Sequence, residues 1–251
     1  MTTPDPDYGD SFADVYDDWY AGITDLEGTV DRVLALASGG PVLELGVGTG
    51  RIALALAAQG AEVVGVDASA AMLDVLRSKP GADRVRTVLG DMAECDRLVD
   101  GPVAVVLVAF NTFFNLTTEA AQRRCFGAVA ALLGPGGSML VEAFVPGNAP
   151  AETERRLTTS RVDLDRVVLT ATEHEPDAQV VTGQHIDVTA AGTRLRPWRI
   201  RYAHPHQLDA MATDAGLVLV ERAGGWRGEP FDDGSAVHVS RYGRHGSGRS
   251  S

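Results

Sequence analysis

The chain has 251 residues, 45% of them hydrophobic, and a formal net charge of -12, so it is long enough for one large domain or one domain with a smaller cap. Its acidic balance opposes binding to a nucleic-acid backbone, because both partners would carry negative charge. No apolar run reaches the roughly 18 residues that a membrane-spanning helix needs, and the N-terminal residues lack the basic-then-apolar pattern of a secretion signal, so we expect a soluble, cytoplasmic protein.

The first predicted element is an amphipathic helix from Phe12 to Tyr20. Phe12, Tyr16 and Tyr20 recur at helical spacing. The stripe either packs against the core or belongs to a lid that covers a ligand and points a tyrosine hydroxyl towards it. Residues 1–40 form this predicted lid together with a second helix that precedes the first strand.

The chain is organised around a predicted strand, a glycine-rich turn and a helix. The strand runs from Val42 to Leu45 and the helix from Arg51 to Gln59, and Gly46, Gly48 and Gly50 lie between them. Glycines allow a sharp turn and let the backbone approach a bulky ligand closely. The start of the helix adds unpaired N–H groups and the positive end of its dipole. We therefore expect a ligand at this turn.

Two ligands compete for the turn. Residues 48–53 fit the G-x-G-x-x-G/A fingerprint of dinucleotide-binding proteins, which favours NAD. Glu44 lies just before the glycines, where it would repel a pyrophosphate and attract a cationic ligand. The acid therefore weighs against a dinucleotide.

Acidic residues follow the second and third predicted strands. Asp67 ends the second strand, where a carboxylate can accept hydrogen bonds from both hydroxyls of a ribose, or it can cap the next helix in competition with Ser69. Asp91 follows the third strand and can accept a hydrogen bond from an adenine amino group, while the N–H of Met92 can bind a ring nitrogen. Met72 can pack on the adenine or on the sheet.

An uninterrupted apolar run from Val103 to Phe110 predicts a central parallel strand that is buried on both faces. It ends in Asn111, which is either a turn residue or a polar group close to the reacting atoms, because ligands bind at the carboxyl ends of such strands. A helix from Glu119 to Leu133 and a fifth strand from Ser138 to Ala143 follow.

The alternation of helices and strands then breaks. Three segments with alternating polarity predict an antiparallel sheet inserted after the fifth strand: Val162–Thr172, Val180–Val188 and Thr193–Tyr202. Such an insertion would cover a substrate. His174 and His185 lie in it, most simply on a solvated sheet face, and they lack a third convergent ligand, so we expect no metal site.

Several motifs resemble those of class I S-adenosylmethionine (SAM)-dependent methyltransferases. They are E-x-G-x-G-x-G at 44–50, G-D-M at 90–92 and L-x-P-G-G at 133–137. The run A-D-V-Y-D-x-x-Y at 13–20 resembles the lid of enzymes that methylate amino sugars. The run N-T-F-F at 111–114 departs from the N-P-P-Y of DNA and protein-glutamine methyltransferases and is more similar to peptide- or amine-directed N-methyltransferases.

The resemblance implies a Rossmann-like α/β fold. We expect a seven-stranded, mostly parallel sheet whose last strand is antiparallel, with an antiparallel β cap inserted after strand five. The core would comprise residues 41–145 and 203–243, the cap residues 146–202, and a disordered tail residues 244–251.

The resemblance also implies SAM as the cofactor and a small-molecule or peptide acceptor. An amine is favoured over a hydroxyl, because an amine needs only a free lone pair and no confident general base is present. Tyr20, Asn111 and His174 are the catalytic candidates, expected to position the reactants. The cofactor-binding candidates are Tyr16, Glu44, Gly46, Gly48, Gly50, Asp67, Ala68, Met72, Asp91, Met92 and Phe110.

Two other classes of protein remain open at the level of sequence. An NAD(P)-dependent oxidoreductase would use the glycines to hold a pyrophosphate, against which Glu44 and Asp91 argue. A SAM-binding regulator without activity would keep the glycines and acids but would not need a covered acceptor cavity. The sequence leaves open whether the protein is a monomer or a homodimer.

Overall fold

The structure is a computed structural model that describes residues 7–20, 22, 24–147 and 150–244. The first residues of the predicted lid, and the predicted tail from residue 245 onwards, lie outside the described residues. Among the described residues, no helix has the length and apolar character required to cross a bilayer.

The strands, in chain order, are β1 (Val42–Leu45), β2 (Val63–Asp67), β3 (Val85–Leu89), β4 (Val103–Val108), β5 (Leu133–Phe144), β6 (Glu154–Val162), β7 (Arg166–Glu175), β8 (Val180–Thr189), β9 (Gly192–Arg201), β10 (Leu217–Ala223) and β11 (Val237–Arg244). The helices are α1 (Asp7–Phe12), α2 (Tyr16–Trp19), α3 (Leu26–Ala37), α4 (Arg51–Ala58), α5 (Ala70–Arg77), α6 (Cys95–Leu98), α7 (Glu119–Leu132) and α8 (Pro205–Asp214).

The larger sheet has seven strands in the order β10-β11-β5-β4-β1-β2-β3. β11 runs antiparallel to both of its neighbours, and the other pairs are parallel. This confirms the predicted Rossmann-like sheet. The chain builds outwards from β1 to β3 and then returns to place β4 on the other side of β1. The carboxyl ends of β1 and β4 therefore border the crevice in which such folds bind ligands.

The apolar strands place alternate side chains on opposite faces of the sheet. Leu43 and Leu45 belong to one buried cluster, whereas Val42 belongs to the cluster on the other face. β4 alternates in the same way, with Val106 on the first side and Val105 on the second. Helices cover both faces, so these strands are buried except at the half-buried Ala104, as the apolar runs predict.

The smaller sheet has four antiparallel strands in the order β6-β7-β8-β9 and corrects the predicted cap, which had three. β6 was missed because all of its residues are exposed, so no alternation of polarity marks it. The predicted strand Val162–Thr172 is also broken, since Asp163 donates its N–H to the carbonyl of Arg166 in a turn between β6 and β7.

The single helix predicted from Phe12 to Tyr20 is wrong. The structure has two short helices, α1 and α2, separated by a turn in which Val15 donates its N–H to the carbonyl of Phe12 at 2.9 Å. Phe12 is fully buried and packs against Trp19 and His185, with ring centroids 6.1 and 5.6 Å away. The turn therefore lets part of the aromatic stripe pack on the smaller sheet.

Candidate active site

A cavity of about 330 Å³ lies at the carboxyl ends of the central strands, between the larger sheet, the N-terminal helices and the smaller sheet. Most of the predicted site residues meet there. Three of the predicted residues, Glu44, Gly50 and His174, do not line it. Those that line it are Tyr16, Tyr20, Gly46, Gly48, Asp67, Ala68, Met72, Asp91, Met92, Phe110 and Asn111.

The three glycines of the turn after β1 differ in the space around them. A Cβ on Gly50 would come within 2.6 Å of Leu76, and a Cβ on Gly46 within 2.1 Å of Thr112, so both glycines are required by packing. A Cβ on Gly48 would meet nothing within 4 Å, and this residue lines the cavity with a φ of +55°. Gly48 is therefore the point at which the backbone can approach a bound molecule.

Asp67 joins the ends of β1 and β2. Its Oδ2 accepts a hydrogen bond from the Gly48 N–H at 2.7 Å, and its Oδ1 accepts one from the Ser69 N–H at 2.9 Å. Ser69, rather than Asp67, caps α5, because its Oγ accepts the N–H of Met72. Burial raises the pKa of the Asp67 carboxyl, and the backbone N–H groups oppose that shift. Each carboxylate oxygen retains a lone pair that can accept a hydroxyl hydrogen.

Asp91 and Met92 line the cavity at the end of β3. The Oδ1 of Asp91 accepts a hydrogen bond from the Ala93 N–H at 2.8 Å. Gly90 donates its N–H to the carbonyl of Asp67 at 2.8 Å, which ties this turn to the neighbouring strand. The second carboxylate oxygen of Asp91 and the backbone of Met92 remain the predicted partners of an adenine edge.

Glu44 lies beneath the glycine turn and is only 4% exposed. Its Oε2 has no hydrogen-bond partner among the described residues. Burial raises the pKa of Glu44 to about 8, against the opposing charge of Arg51. A neighbouring cation would lower that pKa again, because it favours the ionised carboxylate.

The end of β4 holds Phe110 and Asn111 in the left-handed region, with φ of +49° and +61°. Such backbone is uncommon outside glycine and needs support from its surroundings. The N–H of Phe110 donates to Oε2 of Glu142 at 2.7 Å, and the Oδ1 of Asn111 accepts the N–H of Phe144 at 2.6 Å. Asn111 can donate hydrogen bonds to the cavity through its amide NH₂, and, because a neutral amide is not basic, it cannot remove a proton.

Three tyrosines from the N-terminal helices face the cavity: Tyr8, Tyr16 and Tyr20. The rings of Tyr16 and Tyr20 lie 4.7 Å apart, and Tyr20 packs edge-on against Phe110 at 5.8 Å. Burial raises the pKa of Tyr16 to about 12 and raises the pKa values of Tyr8 and Tyr20, so these phenols stay neutral. Tyr8 was missed, although it continues the four-residue spacing of the aromatic stripe.

The smaller sheet contributes His185, Trp198, Arg199 and Ile200 to the cavity wall. His185 was not among the predicted site residues. His174 instead lines a neighbouring cavity of about 310 Å³, where its Nε2 lies 2.9 Å from the Tyr202 hydroxyl. The two histidines therefore face different spaces.

Acidic residues tie the N-terminal helices to both sheets. Asp17 accepts a hydrogen bond from the Thr49 hydroxyl at 2.6 Å in the glycine turn. Asp14 accepts one from Arg196 of β9 at 2.7 Å, and this arginine holds the pKa of Asp14 below its ordinary value. These contacts hold the N-terminal helices against the glycine turn of the larger sheet and against β9 of the smaller sheet.

The comparisons with known proteins agree with this geometry. A family model described as a methyltransferase domain matches residues 42–137. The cypemycin N-terminal methyltransferase of Streptomyces sp is 33% identical over 201 residues, which make up 77% of this chain and 78% of that protein. The structure of the CcbJ methyltransferase from Streptomyces caelestis has a TM-score of 0.88 and 41% identity, and the match covers 95% of this chain and 98% of that one. SAM-bound CalS10, an amino pentose methyltransferase from Micromonospora echinaspora, shares the fold with a TM-score of 0.67 at 23% identity, over 90% of this chain and 96% of that one.

A Rossmann-like sheet with a cavity at its switch point, lined by a glycine turn and by acids after successive strands, is typical of an enzyme that uses a nucleoside cofactor. The chain belongs to the SAM-dependent methyltransferases. The cavity fits SAM, because Gly48 leaves open space and Asp67 keeps acceptor lone pairs. Because the chain belongs to this family, its cofactor is SAM rather than NAD. The individual roles of the predicted residues remain predictions.

Proposed function

We propose that this methyltransferase transfers the methyl group of SAM to an amine nitrogen of a small molecule or peptide. The observation that carries the proposal is the chemistry of the polar groups at the strand ends. Asn111 offers an amide NH₂, and Tyr8, Tyr16 and Tyr20 have pKa values raised by burial. A hydroxyl acceptor needs a general base, whereas an amine needs only its lone pair. A neutral phenol oxygen can accept an N–H of an amine and so orient it while its lone pair stays free for attack.

The names of two relatives support the same choice. The cypemycin enzyme is named for methylation at an N-terminus, and CalS10 for an amino pentose. An N-terminal amine and an amino sugar share a weakly basic nitrogen next to polar substituents. We therefore propose an acceptor of this chemical kind.

In the proposed mechanism the chain binds and orients the reactants. Asp67 and Asp91 hold the nucleoside, and Gly48 allows its close approach. Bound SAM supplies a methyl group that is already activated by the positive sulfonium. Asn111 and Tyr20 align the acceptor for in-line attack, and such alignment can account for much of a rate enhancement. Residues 1–40 and 146–202 act as lid and cap that keep water out.

The test is a screen of acceptors in matched pairs. Tri-alanine is compared with N-acetyl-tri-alanine, and glucosamine with glucose, by formation of S-adenosylhomocysteine and by the mass and NMR spectrum of the product. We expect turnover only of the members with a free amine. Methylation of glucose, or equal turnover of both members of a pair, would overturn the proposal.

A further inference from the structure

His185 stands at the wall of the active-site cavity, on β8. In the register of the smaller sheet it lies between Thr170 of β7 and Arg196 of β9. Its ring packs edge-on against Phe12 and Trp19, with centroids 5.6 Å away in each case. This packing fixes the plane of the imidazole, so that one ring nitrogen is held towards Thr170.

A chain of hydrogen bonds leads from His185 to the outside of the protein. Its Nδ1 lies 2.8 Å from the Thr170 hydroxyl, which is hydrogen-bonded in turn to the Ser160 hydroxyl. Ser160 lies on the exposed strand β6. The Nε2 of His185 has no hydrogen-bond partner among the described residues. It is also absent from the set of their side-chain nitrogen and oxygen atoms that are fully buried without a partner, so it is not sealed off from the cavity that His185 lines. The chain therefore crosses three strands, from the cavity to solvent.

We propose that His185 is a catalytic residue that removes the proton from the ammonium form of the acceptor, and that Thr170 and Ser160 conduct this proton to solvent. The proposal rests on the amine acceptor of the proposed function. It gives the cavity a base that is not assigned to the nucleoside, namely an acceptor for one proton per turnover.

The steps balance as follows. Nε2 of His185 takes a proton from the acceptor ammonium and leaves a neutral amine with a free lone pair. That pair forms the new N–C bond while the bond from the methyl carbon to sulfur breaks and its electrons stay on sulfur. The imidazolium then passes its Nδ1 proton to Thr170, Thr170 passes its own to Ser160, and Ser160 releases one to water. After the products leave, water in the cavity takes the Nε2 proton and the relay returns one to Nδ1, which restores the starting tautomer. One proton leaves per methyl group transferred.

The charged groups around His185 suit this role. Arg196 faces it from β9 and is paired with Asp14 of the lid, while Asp187 of β8 is paired with Arg166 of β7. Burial and the charge of Arg196 lower the pKa of His185, so the ring is neutral near pH 7. An α-amino group has a pKa of roughly 8, close enough for transfer to an imidazole, whereas an aliphatic hydroxyl is far less acidic.

The first test is the pH dependence of the rate in His185→Gln, with tri-alanine or glucosamine as the acceptor, whichever turns over. We expect kcat to fall roughly a hundredfold near pH 7, within the usual contribution of a general base. The loss should shrink to less than about tenfold near pH 9.5, where the amine is already free. S-adenosylhomocysteine affinity, measured by calorimetry, should stay within about twofold of the wild type.

The second test addresses the relay. Thr170→Val keeps the shape of the side chain and removes its hydroxyl, so we expect roughly a tenfold loss of kcat near pH 7. Thr170→Ser restores the hydroxyl and should restore the rate. A purely structural role of Thr170 would instead give a loss that does not vary with pH.

Long-range ¹⁵N NMR of the wild-type protein adds a measurement that does not depend on turnover. We expect His185 to carry its proton on Nδ1 near neutral pH; a proton on Nε2 would overturn the proposal. The proposal would also be overturned if amines turn over but the pH–rate profile of His185→Gln runs parallel to that of the wild type. If only hydroxyl acceptors turn over, the amine assignment fails, and the ammonium proton on which this proposal rests fails with it.

Discussion

Asp67 illustrates how one side chain can hold both the site and the ligand. Its two oxygens accept the N–H groups of Gly48 and Ser69, and their remaining lone pairs face the cavity. In Asp67→Asn one of the two oxygens becomes an NH₂ group, which cannot accept either N–H. We expect the affinity for S-adenosylhomocysteine to fall by about 10- to 100-fold, equivalent to roughly 1.5–3 kcal/mol, as measured by calorimetry.

The matched control for this variant is Asp74→Asn. Asp74 lies on α5, its side chain is 73% exposed, and within the described part of the chain its carboxylate pairs only with Arg77 of the same helix. The affinity of Asp74→Asn for S-adenosylhomocysteine should match that of the wild type. An Asp67→Asn protein that binds as tightly as Asp74→Asn would remove Asp67 from the cofactor site.

Glu44 makes a second prediction, on stability. Its pKa is raised from 4.5 to about 8 by burial, so between these values the folded protein binds more protons than the unfolded chain. The protonated form of Glu44 therefore stabilises the fold relative to the ionised form. Its contribution to the free energy of unfolding, roughly 2–4 kcal/mol in all, is complete below about pH 4.5 and is lost as pH rises through about 8. Glu44→Gln resembles the protonated form and should lack this loss.

Urea unfolding at about pH 5, 6.5 and 8 tests the Glu44 prediction. The quantity to compare is the difference in the free energy of unfolding between Glu44→Gln and the wild type. The pH dependence that other titrating groups contribute is the same in both proteins and cancels in this difference. His238, for example, has its pKa lowered to about 4 by burial and adds a pH dependence of its own. A difference that stays constant with pH would mean that Glu44 is ionised throughout.

At the scale of elements, the sequence predicted the strands that are buried on both faces. β1 and β4 consist of apolar residues apart from Glu44, and their runs are unambiguous. β6 is the opposite case, since its nine residues are all exposed and it is a strand only because it pairs with β7. That pairing depends on residues far along the chain, so local polarity could not reveal it.

The same limit explains the errors at the site. The turn that splits the predicted lid helix places Asp14 opposite Arg196, a residue more than 180 positions later. His174 and His185 lie on neighbouring strands, and the register of the sheet decides that His185 faces the main cavity. Motif residues that follow strands were predictable because parallel strands bring their ends together.

The attachment of the N-terminal helices gives a third prediction. Arg196 is only 2% exposed, so loss of the Asp14 carboxylate leaves a buried guanidinium with a weaker set of partners. In Asp14→Asn we expect the lid to open more often and S-adenosylhomocysteine to dissociate about five- to tenfold faster, as measured by stopped-flow fluorescence.

Asp18→Asn is the control for the lid. Asp18 pairs with Arg161, and their side chains are 64% and 40% exposed, so this ion pair contributes little. S-adenosylhomocysteine should dissociate from Asp18→Asn at a rate within about twofold of that from the wild type. Equal rates for Asp14→Asn and Asp18→Asn would show that the buried arginine does not hold the lid.

The whole molecule carries a net charge of -12, which attracts cations over its surface. Near neutral pH a weakly basic amine is largely an ammonium ion, so the field of the protein draws in the protonated acceptor. Methyl transfer, however, requires the unprotonated form. The charge of the molecule and the proton relay proposed for His185 are therefore complementary, since one gathers the ammonium ion and the other removes its proton.

If the negative charge of the protein attracts the ammonium form of the acceptor, added salt should lower kcat/KM for that acceptor. Between about 20 mM and about 300 mM NaCl the screening length shortens from roughly 20 Å to below 8 Å. We expect kcat/KM for glucosamine near pH 7 to fall severalfold, mainly through KM, because less ammonium is gathered at the acidic surface. Near pH 9.5 the free amine is neutral, and the same change in salt should have little effect. A salt effect of equal size at both pH values would mean that salt acts on the protein itself, through the ion pairs of the lid, and not on the approach of the acceptor.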